Sequence, residues 1–282
     1  MSDPQFAIDY DDRGVAAAHS VLVEIGQILG SFRDCFVVIG GAVPTLTFPN
    51  AEEKHVGTVD VDLGLDPDAL SEGEYAGFVD ALEARGYIRG QDDMKRFQLR
   101  KEVTLGIGPP IAVIVDLLMP REAAPKKNRP PLVKDFAVQK GDGVGLALKN
   151  CFVAQVSGIM PDGRRNVVHL RVASIPAFLV MKGYALVGRD KQKDAYDIYY
   201  SIRHFPGGIG ALIAKCRELL EDRKAKEAYQ NIATKFGTRD DFGPNTVRMF
   251  LSGQEGVDEA ELDQIQTDAY FQVSEWWRGT LS

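Results

Sequence analysis

Cysteine is scarce in this 282-residue sequence, with only Cys35, Cys151 and Cys216, far apart and without C-x-x-C spacing. That excludes a disulfide framework and a zinc ribbon, and leaves three small side chains for the core. Histidine is equally thin. His19, His55, His169 and His204 show no ligand spacing, so no metal is assigned to them, and His55 reads as an incidental loop residue. Long apolar runs are missing: the longest, Ile111 to Met119, is interrupted by Asp116, well short of the roughly 20 residues that cross a bilayer. The start, Met1-Ser2-Asp3-Pro4, lacks the basic and then apolar segments of a secretory signal. The expectation is a cytoplasmic protein with no membrane contact. Excess positive charge is lacking too, since 33 Lys and Arg against 40 Asp and Glu give a net charge of −7. A global basic field for coating nucleic acid is therefore excluded, and any such contact is confined to a local patch. No internal repeat or low-complexity tract is present.

What remains is an ordinary globular composition, 26% charged and 45% hydrophobic. Val15 to Leu29 reads as a helix ended by Gly30. Phe36 to Ile39 reads as a buried strand that turns at Gly40-Gly41 into a short helix, Ala42 to Phe48. Thr58 to Leu65 alternates polar and apolar residues with period two and is the plainest strand. Ala69 to Arg85 reads as an amphipathic helix, and Arg96 to Val103 and Ile111 to Leu118 as strands, the latter central. Pro120 to Pro131 holds four prolines and reads as an exposed loop. Leu146 to Met160 and Asn166 to Val172 form a hairpin around Pro161-Asp162-Gly163. From Ile175 the period is helical, broken near Gly188, Pro206-Gly207-Gly208, Gly237, Gly243-Pro244 and Gly253. The expected fold is α+β, a mixed sheet with flanking helices over residues 1–172 followed by a helical domain over 173–282.

The chemistry concentrates in a few acids. Asp60 and Asp62, two apart on a strand, project onto the same face, where an exposed pair is simply solvated but a sheltered pair calls for a hard divalent cation. Asp116 is an acid inside an apolar strand, which requires pairing, a metal or a solvated strand end. Gly40-Gly41 leaves room for close approach of a phosphate to backbone N–H groups. Lys182 and Arg189, seven apart, share a helix face unless Gly188 ends the helix between them. Asp190 is placed to cap the next helix, with Asp194 and Asp197 at i and i+3 near its start, where the dipole favours anions. Trp276-Trp277 reads as core or partner surface in the helical tail.

Gly40-Gly41, then Thr58-x-Asp60-x-Asp62, then Asp116 resembles the nucleotidyltransferase superfamily typified by DNA polymerase beta. The Lys182…Arg189-x-Lys191-x-Lys193-Asp194-x-x-Asp197 segment resembles the AbiEii/AbiGii branch, the toxins of type IV toxin–antitoxin systems, which include MenT-like enzymes. Against that pattern the stretch from Gly41 to Asp60 is long, and Pro49 to Gly57 reads as an inserted loop.

The resemblance implies transfer of NMP from NTP to an acceptor. Asp60, Asp62 and Asp116 would hold two Mg²⁺ ions, and Asp116 would also assist deprotonation of the attacking hydroxyl. Gly40, Gly41, Thr58, Lys182 and Arg189 would bind the nucleotide. A later acid, Asp194 by preference over Asp197, would join the active site. By analogy the acceptor is the 3′ end of tRNA and a cognate antitoxin is encoded nearby, with direct binding left open. A basic surface of Lys126, Lys127 and Arg129 with Arg96, Arg100 and Lys101 would meet the RNA. Two alternatives stay open: a protein or small-molecule acceptor such as an aminoglycoside, and a non-catalytic nucleotide-sensing module.

Overall fold

A computed structural model describes residues 4–70, 74–123, 139–254 and 256–282. The described residues form two compact units. One comprises Asp12–Leu46 and Gly57–Ser174; the other comprises 4–11, Thr47–Val56 and Ile175–Ser282.

The first unit is built on a mixed sheet. Its strands are β1 (Phe36–Ile39), β2 (Asp60–Leu65), β3 (Gln98–Val103), β4 (Ile111–Pro120), β5 (Gln139–Gly141), β6 (Cys151–Ile159) and β7 (Arg165–Ala173), in the order β3-β4-β2-β1-β7-β6 with β5 against the end of β4. β2 runs parallel to β4 and antiparallel to β1, and β1 runs parallel to β7. Val61, Leu63 and Leu65 pair across to Val115, Leu117 and, through β1, Val38 and Phe36, and all are buried. That is the core face, and helix α1 (Asp12–Ile28) covers it, with Gly26 so close to Val168 and Leu170 of β7 that no side chain fits between them. The opposite face carries Asp60, Asp62 and Gly64 of β2. Helix α4 (Val144–Lys149) covers only its Gly64 end, where Val144 fills the space a Cβ would take. Helices α2 (Ala42–Thr47) and α3 (Glu74–Glu83) and a 3₁₀ turn at Gly30–Cys35 are further elements described in or bordering this unit.

The second unit is helical: α5 (Ile175–Gly188), α6 (Gln192–Arg203), α7 (Gly208–Arg217), α8 (Arg223–Lys235), α9 (Phe242–Leu251) and α10 (Glu259–Leu281). α10 packs against α6, α7, α8 and α9, and its Trp276 is fully buried with its indole N–H donating to Cys216 Sγ at 3.4 Å. Among the described residues, no helix is long and apolar enough to cross a membrane.

The α+β architecture expected from the periodicities is present, with local differences. Residues 144–149, partly assigned to a strand, are helical, because Gly143 at φ +80° starts a turn and the short apolar run suits either period. Strand β5 was not expected. Ala69 lies in a turn in which the Asp66 side chain accepts the N–H groups of Asp68 and Ala69, so α3 starts later than its apolar pattern suggests. Gly243 and Pro244 sit in the first turn of α9 and do not break it, as a proline there sacrifices no intrahelical bond. α6 begins after Lys191 and not with an Asp190 cap. Cys216 is buried as expected, whereas Cys35 and Cys151 are only half-buried.

α5 and α8 approach closely at Gly183, where a Cβ would collide with the Ala228 carbonyl oxygen. Gly183→Ala should therefore lower unfolding stability by about 1–3 kcal/mol, the usual range for overpacking. Chemical denaturation measures it, and an unchanged midpoint would contradict the packing described.

Candidate functional site

The pairing of β2 with β4 decides where the acids go. Parallel register sets Asp62 directly beside Asp116, and Asp60 beside Ile114. Paired residues project from the same face, with strands about 4.8 Å apart, so Asp62 and Asp116 are neighbouring carboxylates. Asp60 stands two residues away, roughly 6.6 Å along the strand. Its Oδ1 accepts a hydrogen bond from the Thr58 hydroxyl. All three acids are half-buried, so Asp116 lies on the accessible face of β4 between the buried Val115 and Leu117.

The Gly40-Gly41 turn is tied to the same place. Ile39 pairs with Asp62, and the Asp62 carboxylate occupies the space that a Cβ on Gly40 would fill. Gly40 also has φ +66°, a conformation that side-chain-bearing residues disfavour. The turn thus admits the carboxylate against bare backbone. α2, which follows it, spans only six residues.

The donor set suits a hard cation, because carboxylate oxygens are the ligands that Mg²⁺ prefers. Asp62 and Asp116 stand side by side in the ladder, with Asp60 set back against Thr58. Correspondingly, among the described residues no group of three His, Cys, Asp or Glu side chains is gathered closely enough to hold a metal.

Lys182, Arg189 and Asp194 meet in the helical unit, in a buried charge network that also takes in Asp197, Lys193 and His55. Lys182 Nζ lies 2.6 Å from Asp194 Oδ1 and 2.6 Å from Asp197 Oδ2. Lys193 Nζ lies 2.8 Å and His55 Nε2 2.9 Å from Asp197 Oδ1. The Arg189 guanidinium donates twice to Asp194, at 2.8 and 3.0 Å. Burial disfavours the Lys182 charge, but Asp194 and then Asp197 more than offset this and raise its pKa. Burial likewise works against the Asp197 carboxylate, yet the ammonium groups of Lys182 and Lys193 hold its pKa well below the usual range. Asp194 is held low in the same way by Lys182 and Arg189. Both acids and Lys182 are thus charged and committed to one another, and Arg189, with its side chain 54% exposed, is the network's solvent-facing member.

His55 is the residue whose sequence context gave no sign of its place. It lies in the Pro49 to Gly57 stretch, is 1% exposed at its side chain, stacks on Tyr196 at 5.2 Å and donates to Asp197 if the proton is on Nε2. The Tyr200 hydroxyl anchors the same stretch by donating to the Glu53 carbonyl at 2.7 Å.

The basic surface divides. Lys126, Lys127 and Arg129 lie outside the described residues. Arg100 pairs with Ile114, which pairs with Asp60, so it shares the acidic face. Lys101 points to the opposite face, where it lies 3.6 Å from Glu24 and over the Tyr87 ring. Arg96 is exposed before β3.

The sequence matches no family model and no curated protein. Solved structures similar to the chain include an antigenic nucleotidyltransferase-like protein from Paracoccidioides brasiliensis, at 15% identity over 78% of this chain and 88% of that one, with a TM-score of 0.46. JHP933 from Helicobacter pylori is similar at 11% identity over 96% of this chain and 94% of that one, with a TM-score of 0.47.

Burial first, and then the charge of Lys193, hold the His55 pKa down to about 4 from 6.5 against the pull of Asp197. The unfolded chain takes up this proton near pH 6.5 and the folded chain does not, so the stability contributed is complete above pH 6.5. It declines as the pH falls toward 4, by up to roughly 1.4 kcal/mol per pH unit. His55→Gln, which keeps a donor for Asp197, should flatten the stability profile between pH 6.5 and 4 in denaturation measurements. A slope equal to that of the parent would contradict this placement of His55.

Proposed function

We propose that the protein is a Mg²⁺-dependent nucleotidyltransferase that moves NMP from NTP to an acceptor hydroxyl. The observation that carries this reading is the register that sets Asp62 beside Asp116, with the Gly40 turn against the Asp62 carboxylate. Asp62 and Asp116, paired across β2 and β4, are the residues that would hold an ion, and Asp60 would join them only by turning from Thr58. Bound Mg²⁺ supplies charge neutralisation on the triphosphate and on the departing pyrophosphate. The chain's own residues do the rest. The Asp116 carboxylate takes the proton of the attacking hydroxyl. Thr58, through its hydroxyl, keeps Asp60 oriented. Gly40-Gly41 lets phosphate approach the backbone without a side chain in the way. Within the helical unit, Lys182 and Asp194, which face each other, act as positioning residues for Arg189, the solvent-facing cation of that network.

Three further elements of the proposal come from the motif resemblance: the acceptor is the 3′ end of tRNA, the modification stops translation, and the protein is the toxin of a type IV system with a cognate antitoxin encoded beside it. Transfer through so few side chains is chemically sufficient, since phosphoryl chemistry needs mainly alignment and charge neutralisation.

Incubation with each α-labelled NTP and total tRNA should place label on RNA in Mg²⁺ and not in EDTA. Asp62→Asn should reduce transfer by about 10²-fold or more while leaving the thermal midpoint within a few degrees of the parent. Absence of label on RNA in Mg²⁺ would contradict the tRNA acceptor. Undiminished transfer by Asp62→Asn would contradict the carboxylate seat.

A further inference from the structure

A cleft of about 600 Å³ opens in the sheet unit beside the N-terminal end of β2. Its walls are aliphatic, with Val15 and Leu22 from α1, Leu46 from α2, Val61 from β2, Leu105 after β3 and Met160 after β6. Asp12 and Asp60 are its acids and His19 its one imidazole among the described lining residues, which include no Lys, Arg, Phe, Tyr or Trp.

Each feature narrows the ligand. A phosphate group entering this cleft would meet two carboxylates and no Lys or Arg, which opposes it electrostatically. A nucleobase would find no Phe, Tyr or Trp ring to stack on, only the His19 imidazole, which lies 3.0 Å from the Ser157 carbonyl oxygen. The volume falls in the range of roughly 300–1,000 Å³ typical of sites for drug-sized molecules, and aliphatic walls with a few polar groups at one end are their usual construction. We propose that the cleft binds a neutral or cationic, predominantly apolar small molecule, with an amine or hydroxyl end directed to the acidic rim at Asp12. The cleft shares Thr58 and Asp60 with the proposed transfer site, but the inference rests on its aliphatic walls and holds whether or not the chain transfers nucleotides.

Two probes that share one scaffold test it directly. N-phenyl-1-naphthylamine is neutral; 1-anilinonaphthalene-8-sulfonate is the same molecule with an added sulfonate. Fluorescence titration of the full chain should show saturable one-to-one binding of the neutral probe, with the sulfonate at least tenfold weaker. Ala16→Trp and Leu105→Trp, which place an indole in the cleft from a helix surface and from a loop, should each weaken the neutral probe at least tenfold. Val153→Trp, at a 64% exposed position on β6 outside the lining, should not. Failure of the neutral probe to bind, a sulfonate that binds as tightly, or equal binding by both blocked variants would each overturn the proposal. Because the readout is binding and not turnover, inactive protein that still discriminates the two probes upholds this site while the transfer proposal fails.

Discussion

Two like charges held side by side in a parallel ladder are the constraint around which the sheet unit is arranged. Asp62 and Asp116 cannot be separated without slipping β2 against β4, and a slip of one residue would turn Val61, Leu63, Val115 and Leu117 out of the core. The hydrophobic pattern therefore fixes the carboxylate pair. Neighbouring carboxylates repel each other when both are ionised, and half-burial lets solvent reduce that repulsion. Aliphatic packing on one face thus enforces electrostatic proximity on the other. Gly40 extends the same logic to the neighbouring strand, since its missing side chain is what leaves room for the Asp62 carboxylate.

The helical unit solves a different electrostatic problem. Lys182, Lys193, Asp194 and Asp197 are almost wholly buried, and each meets an opposite charge within 2.8 Å. Removing one member of such a set leaves another charge in a poor dielectric, which is why buried networks tend to act as units. Because His55 enters from residues 47–56, the network also fastens a segment distant in sequence to α6. A neutral imidazole is the suitable partner there: it donates to Asp197 without adding a third positive charge beside Lys182 and Lys193.

Much of this was legible in the sequence because it rests on short-period patterns. Alternation located β2 and put Asp60 and Asp62 on one face, the apolar run located β4, and Gly40-Gly41 marked the turn. The helices after Ile175 followed from apolar stripes and glycine breaks. Register was not legible: nothing local says that Asp116 meets Asp62 and not Asp60, since that depends on how two strands some fifty residues apart align. Nor could Lys182 be seen to face Asp194 and Asp197, because α5 and α6 meet through tertiary packing. A lone histidine in a loop carries no periodic signal, so the burial of His55 was invisible. α4 was lost to a short apolar run compatible with either secondary structure.

The central claim is that Asp62 and Asp116 share a cation. A crystal grown with Mn²⁺ and a non-hydrolysable NTP analogue would test it through the anomalous scattering of manganese. The account predicts a peak within roughly 2.5 Å of carboxylate oxygens from both residues. Manganese bound elsewhere, with these two side chains unliganded, would contradict it.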